Sequence, residues 1–319
     1  MAALVPQSPG PARLPGRPVR PARHVSPYLL LVLTMLFWSG NFVLGRAVRA
    51  DISPIALSFW RWVLALALLL PFVWRRLPEA WQQARGHWPA LTVLGILAVG
   101  NFNTFAYLGL QQTTATNAVL LISTGPVVIL ALSVLILRAR VGWRGLLGVL
   151  VSLLGVLTIV GRGNPAALLA ELGVNQGDAW IMAAVLSWAL YSILLRWRPP
   201  QLDPLLFLAL TIATGMLLLL APLEIWDLAQ GARFELSPAN LASVAYVAVF
   251  PSLLAYVFWN RAVAEVGPGR AGLFLHLMPA FGTLLAALLL GERLYGYHLW
   301  GIAGIAAGIW TATREPAAH

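Results

Sequence analysis

Leu36-Phe37-Trp38-Ser39-Gly40-Asn41-Phe42 lies in the middle of the first long apolar stretch, and its indole returns as Trp188 at the same place in a later stretch. The recurrence extends well beyond that pair. Pro54 is answered by Pro204, Ala106-Tyr107 by Ala255-Tyr256, Pro126 by Pro279, Gly148 by Gly301 and Gly155 by Gly308. The offset is 150 residues at Trp38 and Pro54, 149 at the Ala-Tyr pair and 153 at the last three matches. Such a slow drift is expected of two duplicated halves separated by small insertions. Each half holds five apolar segments. An odd count turns the second copy upside down in a bilayer, and inverted repeats mark secondary transporters.

Composition points the same way. Of 319 residues, 60% are hydrophobic and 10% charged, whereas soluble domains carry about 25% charged residues. Lipid is the expected solvent. The net charge is +10 and all 21 basic residues are Arg. They fall between apolar segments or in the N-terminal tail, a pattern of membrane topology that argues against nucleic acid as a partner. With no Cys there are no disulfides, thiolate nucleophiles or Cys-based metal sites. With no Lys there is no Walker A loop, so the chain is not a P-loop ATPase by itself.

About twenty apolar residues cross a bilayer as a helix. That length predicts an all-α integral membrane protein of ten transmembrane helices, two inverted five-helix repeats around a central cavity. The spans are expected at 28–48, 54–74, 88–110, 114–137, 142–161, 179–197, 203–223, 239–261, 268–290 and 295–313. Residues 1–27, rich in Pro and Arg, read as a disordered cytoplasmic tail, because the first apolar stretch is too long for a signal peptide. The repeats occupy 28–161 and 179–313, with an extracytoplasmic connection at 162–178 and a cytoplasmic tail at 314–319. The longer connections, 162–178 and 224–238, are expected on one side. With the N-terminus inside, 15 Arg fall on the cytoplasmic side and 5 outside, which places both termini in the cytoplasm.

Several residues within the spans carry possible chemistry. Trp74, Trp88, Trp143, Trp180, Trp197, Trp259 and Trp310 sit near span ends as an aromatic belt. Trp38 and Trp188 lie at span centres, where an indole N–H needs a partner or a water-filled cavity. Pro126, Pro251 and Pro279 interrupt three spans near their midpoints and free backbone carbonyls, as helices bending around a binding site or a static kink both require. Asn101, Asn103 and Thr104 form a polar cluster in the third span, just before Tyr107. His276 is the ionisable residue placed near a span midpoint, apart from marginal cases such as Arg61. It stands three residues before Pro279, as Ser123 stands three before Pro126. Gly148, Gly155, Gly301, Gly304 and Gly308 are spaced for close helix packing within or between protomers. No HExxH or paired carboxylate suggests a metal, and no cofactor or catalytic residue is expected.

Together, several segments resemble the drug/metabolite transporter superfamily, in particular its ten-span EamA-type members. Leu36–Phe42 is similar to the first helix of that family, and Phe59-Trp60-Arg61-Trp62 to its second, with Arg61 at the characteristic Arg. Pro279, Leu290-Gly291-Glu292-Arg293-Leu294, Gly301 and Gly308 resemble its ninth-to-tenth-helix signature. The likeness covers nearly all of the chain after residue 27, although Ala139 stands where the first-half partner of Glu292 belongs. Within the superfamily the general look is closest to YddG-like amino-acid exporters. The resemblance implies that spans one, three, four, six, eight and nine surround a cavity, with five and ten at the periphery. It implies a substrate site from Trp38, Asn101, Asn103, Tyr107, Ser123, Trp188, Tyr191, Tyr256 and His276.

The resulting expectation is a secondary transporter of the cytoplasmic (inner) membrane, moving a small metabolite by alternating access. Amino acids are the leading solutes, by export or facilitated exchange. A nucleoside, sugar-derivative or cationic-drug carrier is the alternative, and an intramembrane enzyme or scaffold a weaker one. Expected partners are membrane lipid and the small-molecule substrate, with the chain a monomer or homodimer and no nucleic acid bound.

Overall fold

The computed structural model describes residues 25–113, 115–164, 175–232, 234–290 and 293–314. Most of the expected N-terminal tail, much of the 162–178 connection, Gly291-Glu292 and most of the C-terminal tail lie outside the described residues. Among those described, the chain is helical, and the one β-bridge joins Ile52 to Phe234.

The apolar helices are α1 (Pro27–Ala47), α2 (Pro54–Val73), α3 (Trp88–Gln112), α4 (Ala115–Ile122 followed by Gly125–Leu137) and α5 (Trp143–Val160). In the second half come α6 (Gln176–Leu194), α7 (Pro204–Ala229), α8 (Pro238–Val266), α9 (Pro268–Leu273, Phe274–His276 and Leu277–Leu290) and α10 (Gly296–Thr313). Eight of them, α1 to α8, are long and apolar enough to span a bilayer on that basis alone. α10 is diluted by Tyr297, His298 and glycines, while the Leu277–Leu290 part of α9 is almost wholly apolar. Their outward faces nevertheless carry exposed Leu288 and Trp300, as those of other helices carry Leu135, Leu154 and Leu217. Those side chains suit lipid as solvent.

Three starts follow one rule. Ser53, Asp203 and Ser237 each precede a proline, and each side chain accepts a hydrogen bond from the first turn: from Ala56, Leu205 and Asn240. Proline at the first helical position loses no bond, because its N–H would be an orphan anyway. Burial pushes the Asp203 carboxyl up, yet the N–H groups of Leu205 and Leu206 and the Arg76 guanidinium hold it below the usual range. Between α8 and α9, Gly267 takes φ +83°, which lets Pro268 begin a new helix at once.

The structure differs from expectation in four places. α7 continues to Ala229 rather than 223, and α8 runs from Pro238 to Val266 rather than over 239–261. Glu224 and Asp227 therefore sit in the last turns of α7, where Asp227 accepts from the Ser53 hydroxyl. The 75–87 connection contains a short helix, Leu77–Ala84, started by Pro78 and Glu79 and burying Ala80 and Ala84. The fourth span is two helices, parted at Ser123-Thr124.

Packing relates the two halves. α1 lies against α8 and α9, while its repeat counterpart α6 lies against α3 and α4. α5 and α10, themselves counterparts, run antiparallel along one another. A Cβ on Gly148 would stand 2.5 Å from the Gly308 carbonyl oxygen, and one on Gly155 would stand 2.6 Å from that of Gly301. The repeat exchanges these two contacts, as a two-fold relation requires. Only glycine admits so close an approach, and the small-residue seam is thus spent inside the chain. Connections expected on one side also meet each other: Ile52 with Phe234, Thr113 with Asn175 and Asp178, and Arg76 with Asp203 at 3.2 Å.

Candidate functional site

Trp38 of α1 and Trp188 of α6 meet edge to face, their ring centroids 4.7 Å apart and their planes at 88°. Quadrupoles favour that geometry over a sandwich. Trp259 lies 5.4 Å from both indoles, and Tyr256 and Tyr191 lie 5.5 and 5.1 Å from Trp188. A small cavity of about 20 Å³ remains beside this cluster, lined by Trp38, Asn41, Phe102, Trp188, Leu275 and Met278. It has room for about one water molecule, so this conformation is closed at its centre. A larger cleft of about 810 Å³ lies at the ends of α4, α5 and α9, bordered by Arg138, Arg140 and Arg270. It shares no lining residue with the central cavity.

Pro251 explains how polar groups come to surround the aromatic cluster. It interrupts α8 in a widened turn, Ala248–Leu254, and offers no N–H to the carbonyl of Val247. A turn of this width pairs residue i with i+5, which brings the Ser252 N–H to that carbonyl, and side chains add to it. The Ser252 hydroxyl donates to Val247 O at 2.6 Å, and Arg61 Nη2 approaches it at 3.4 Å. Pro251 O accepts from the Trp38 indole at 3.1 Å. A second widened turn, Ile96–Asn101, lies in α3, the counterpart of α8, and its Ala98 carbonyl accepts from the Tyr256 hydroxyl at 2.7 Å.

Arg61 is the hub of the polar set and is 1% exposed. Its Nε donates to Ser252 Oγ at 2.8 Å. Its Nη1 faces Asn41 Oδ1 at 3.0 Å, with Asn103 Oδ1 and the Tyr107 hydroxyl each at 2.8 Å. Tyr107 in turn donates to Asn41 at 2.8 Å. Asn103 and Ser252 stand 149 residues apart, the offset of the Ala-Tyr match, so counterpart positions of the two halves grip the guanidinium. Every acceptor is neutral. Among the described residues no carboxylate forms an ion pair with Arg61.

The expected site residues fall into two groups. Trp38, Asn103, Tyr107, Trp188, Tyr191 and Tyr256 converge on this centre, with Tyr191 donating to Asn260 at 2.6 Å. Asn101 is half-buried at the end of the α3 turn. His276 and Ser123 meet outside the centre, in the packing of α9 against α4 and α5. Nε2 of His276 lies 2.9 Å from the Ser123 carbonyl, at the break before Pro126, and Nδ1 lies 2.6 Å from Ser152 Oγ. A carbonyl only accepts, so the proton is on Nε2 and Nδ1 takes the Ser152 hydroxyl hydrogen. The Ser123 hydroxyl bonds back to Val119 O and does not touch the ring. Pro126 is in the first turn of the second α4 helix, and Pro279 follows a tight turn, Phe274–His276.

Arg61, Asn41, Trp62, Ser252 and Trp259 were not among the expected site residues. The aromatic-belt reading of Trp259 is corrected: α8 extends past it to Val266, and the indole is fully buried against Trp38 and Trp188. Asn41 had a usable signal, a polar residue one turn beyond Trp38. Arg61 had one too, a lone Arg inside a twenty-residue apolar helix.

Relatives agree with this geometry. The model of the EamA-like transporter family matches residues 25–161 and again 175–314. The chain belongs to that family. An uncharacterized transporter of Bacillus subtilis (strain 168), YyaM, is 25% identical, with 91% of this chain and 94% of that protein aligned. The uncharacterized protein PA1977 of Pseudomonas aeruginosa is 32% identical over 83% of this chain and 87% of its own. A probable amino-acid metabolite efflux pump of Salmonella typhimurium is 25% identical over 88% and 92%. A crystal structure at 19% identity superposes with a TM-score of 0.72, covering 90% of this chain and 96% of that one, and shares the fold. The EamA-like chain is thus a multi-pass membrane transporter, and its relatives are carriers rather than enzymes.

Proposed function

We propose that this transporter moves amino acids or closely similar small amphipathic metabolites across the cytoplasmic membrane, as an exporter or exchanger. The observation that carries the reading is the aromatic cluster of Trp38, Trp188, Tyr256 and Trp259, seated where α1 and α6 of the two halves meet over a small cavity. Aromatic walls with a few hydrogen-bonding groups suit a small solute with an apolar body and polar ends. The Salmonella relative, described as a probable amino-acid metabolite efflux pump, supports that solute class. A buried guanidinium beside the cluster disfavours a cationic drug.

In this reading residues 28–161 and 179–313 are inverted repeats, both termini are cytoplasmic, and the substrate site comprises Trp38, Asn101, Asn103, Tyr107, Trp188, Tyr191 and Tyr256. His276 and Ser123 serve the packing around it, and Pro126, Pro251 and Pro279 mark where the helices bend. The two halves rock about the closed centre to expose it alternately to each side. Among the described residues no carboxylate lines the central cavity, so facilitated exchange without proton drive is the expected mode.

Counterflow in proteoliposomes against labelled amino acids, nucleosides and amines tests the solute class. Exchange of amino acids supports it, and exchange confined to nucleosides or amines overturns it.

A further inference from the structure

We propose that Arg61 is the anion-binding element of the solute site, and that this transporter selects solutes carrying a carboxylate. The inference rests on the central site of the proposed function, and it adds which chemical group that site recognises.

An unpaired charge in the membrane interior is costly, and neutral dipoles offset only part of the cost. Arg61 has hydroxyls, amide oxygens and one carbonyl around it, but no counter-charge among the described residues. The groups nearby repeat the imbalance. Asn103 Nδ2 and the indole nitrogens of Trp62, Trp188 and Trp259 are buried without a hydrogen-bond partner. The Trp62 ring centroid lies 5.4 Å from the guanidinium carbon, and Trp188 and Trp259 belong to the aromatic cluster. All four unpaired atoms are N–H donors.

A centre with surplus donors and one positive charge is complementary to a ligand with surplus acceptors and one negative charge. A carboxylate supplies both, with two oxygens and about four acceptor positions. An amine, an amide or a polyol would add donors to a place already short of acceptors. Asn41 connects the charge to the cavity, since its Oδ1 accepts from Arg61 and its side chain lines the cavity. A solute carboxylate that takes over the Arg61 bond from Asn41 replaces a neutral acceptor by an anionic one, and charged pairs are about twice as strong. The apolar part of the solute then lies against Trp38 and Trp188.

The test uses the purified full chain in lipid nanodiscs, with tryptophan fluorescence reporting binding. The probes are L-phenylalanine, 3-phenylpropionate, L-phenylalaninamide and phenethylamine. The expected result is that the two carboxylates bind at least about tenfold more tightly than the amide and the amine. Arg61→Gln then removes that preference, weakening carboxylate binding by about tenfold more than amide binding, and Arg61→Lys restores part of it. A wild-type chain that binds acid and amide alike overturns the proposal, and this arm needs no variant to fold. An equal loss of both in Arg61→Gln also overturns it, since it marks a scaffold role. If 3-phenylpropionate binds through Arg61 but no amino acid exchanges in proteoliposomes, the amino-acid reading falls and this one stands. If L-phenylalanine and its amide exchange at equal rates, this one falls and the central site stands.

Discussion

His276 sits inside the membrane with both ring nitrogens on neutral partners, Ser152 and Ser123. A buried imidazole with this pairing is a cross-link between helices, and removing it takes the ring donor from the Ser123 carbonyl, while the Ser152 hydroxyl keeps Val149 O at 3.1 Å. An unsatisfied buried carbonyl costs about 1–3 kcal/mol. His276→Ala is therefore expected to lower the melting temperature of the purified protein, while exchange per folded molecule changes little. A variant of unchanged stability but abolished exchange would place the imidazole in the solute path instead. The sequence marked His276 because it is ionisable and passed over Arg61 because it stood nearer a span end. Charge in a membrane is decided by neighbours, and those neighbours come from α1, α3 and α8, far apart in the chain. Trp38 and Trp188 were legible because duplication fixes position independently of contacts. Trp259 was not, because a helix that continues past its expected end leaves no mark in hydropathy.

At the scale of the element, α8 and the α5–α10 seam make opposite demands. Pro251 keeps α8 open, and Ser252, Arg61 and Trp38 gather on the carbonyls around the break. Pro251→Ala returns an N–H to the Val247 carbonyl, a net gain of about 1 kcal/mol. The expected outcome is a higher melting temperature with slower exchange, measured on the same preparation. Faster or unchanged exchange would mean that the break is a static kink. The seam tolerates no added volume. Gly148→Leu drives a side chain into the Gly308 carbonyl and Ala312, an overpacking penalty of about 1–3 kcal/mol or more. Loss of the monodisperse peak on size-exclusion chromatography is expected for Gly148→Leu. Gly282→Ala, with nothing within 4 Å of the added carbon, should retain it. Equal profiles would remove the seam from the account. The spacing of these glycines was readable in advance, but their partners were not, because spacing says that a helix face is small and is silent on which helix faces it.

For the whole molecule, duplication, apolar length and arginine bias carried the membrane-helical fold, since all three act along the chain and need no knowledge of contacts. The closed centre is a tertiary fact: it depends on how α1 and α6 cross, and only the structure brings their indoles to 4.7 Å. In the proposed transport cycle, solute passes between those indoles. The most direct measurement is counterflow of a labelled amino acid in proteoliposomes containing wild-type, Trp38→Ala or Trp188→Ala protein, normalised to folded protein. Losing one aromatic wall removes about 1–1.5 kcal/mol of pair energy, or roughly tenfold in affinity. Each variant should therefore need about ten times more solute for half-maximal exchange per folded molecule, beyond the loss of stability that truncating a buried indole brings. Wild-type exchange curves from both variants would contradict the claim.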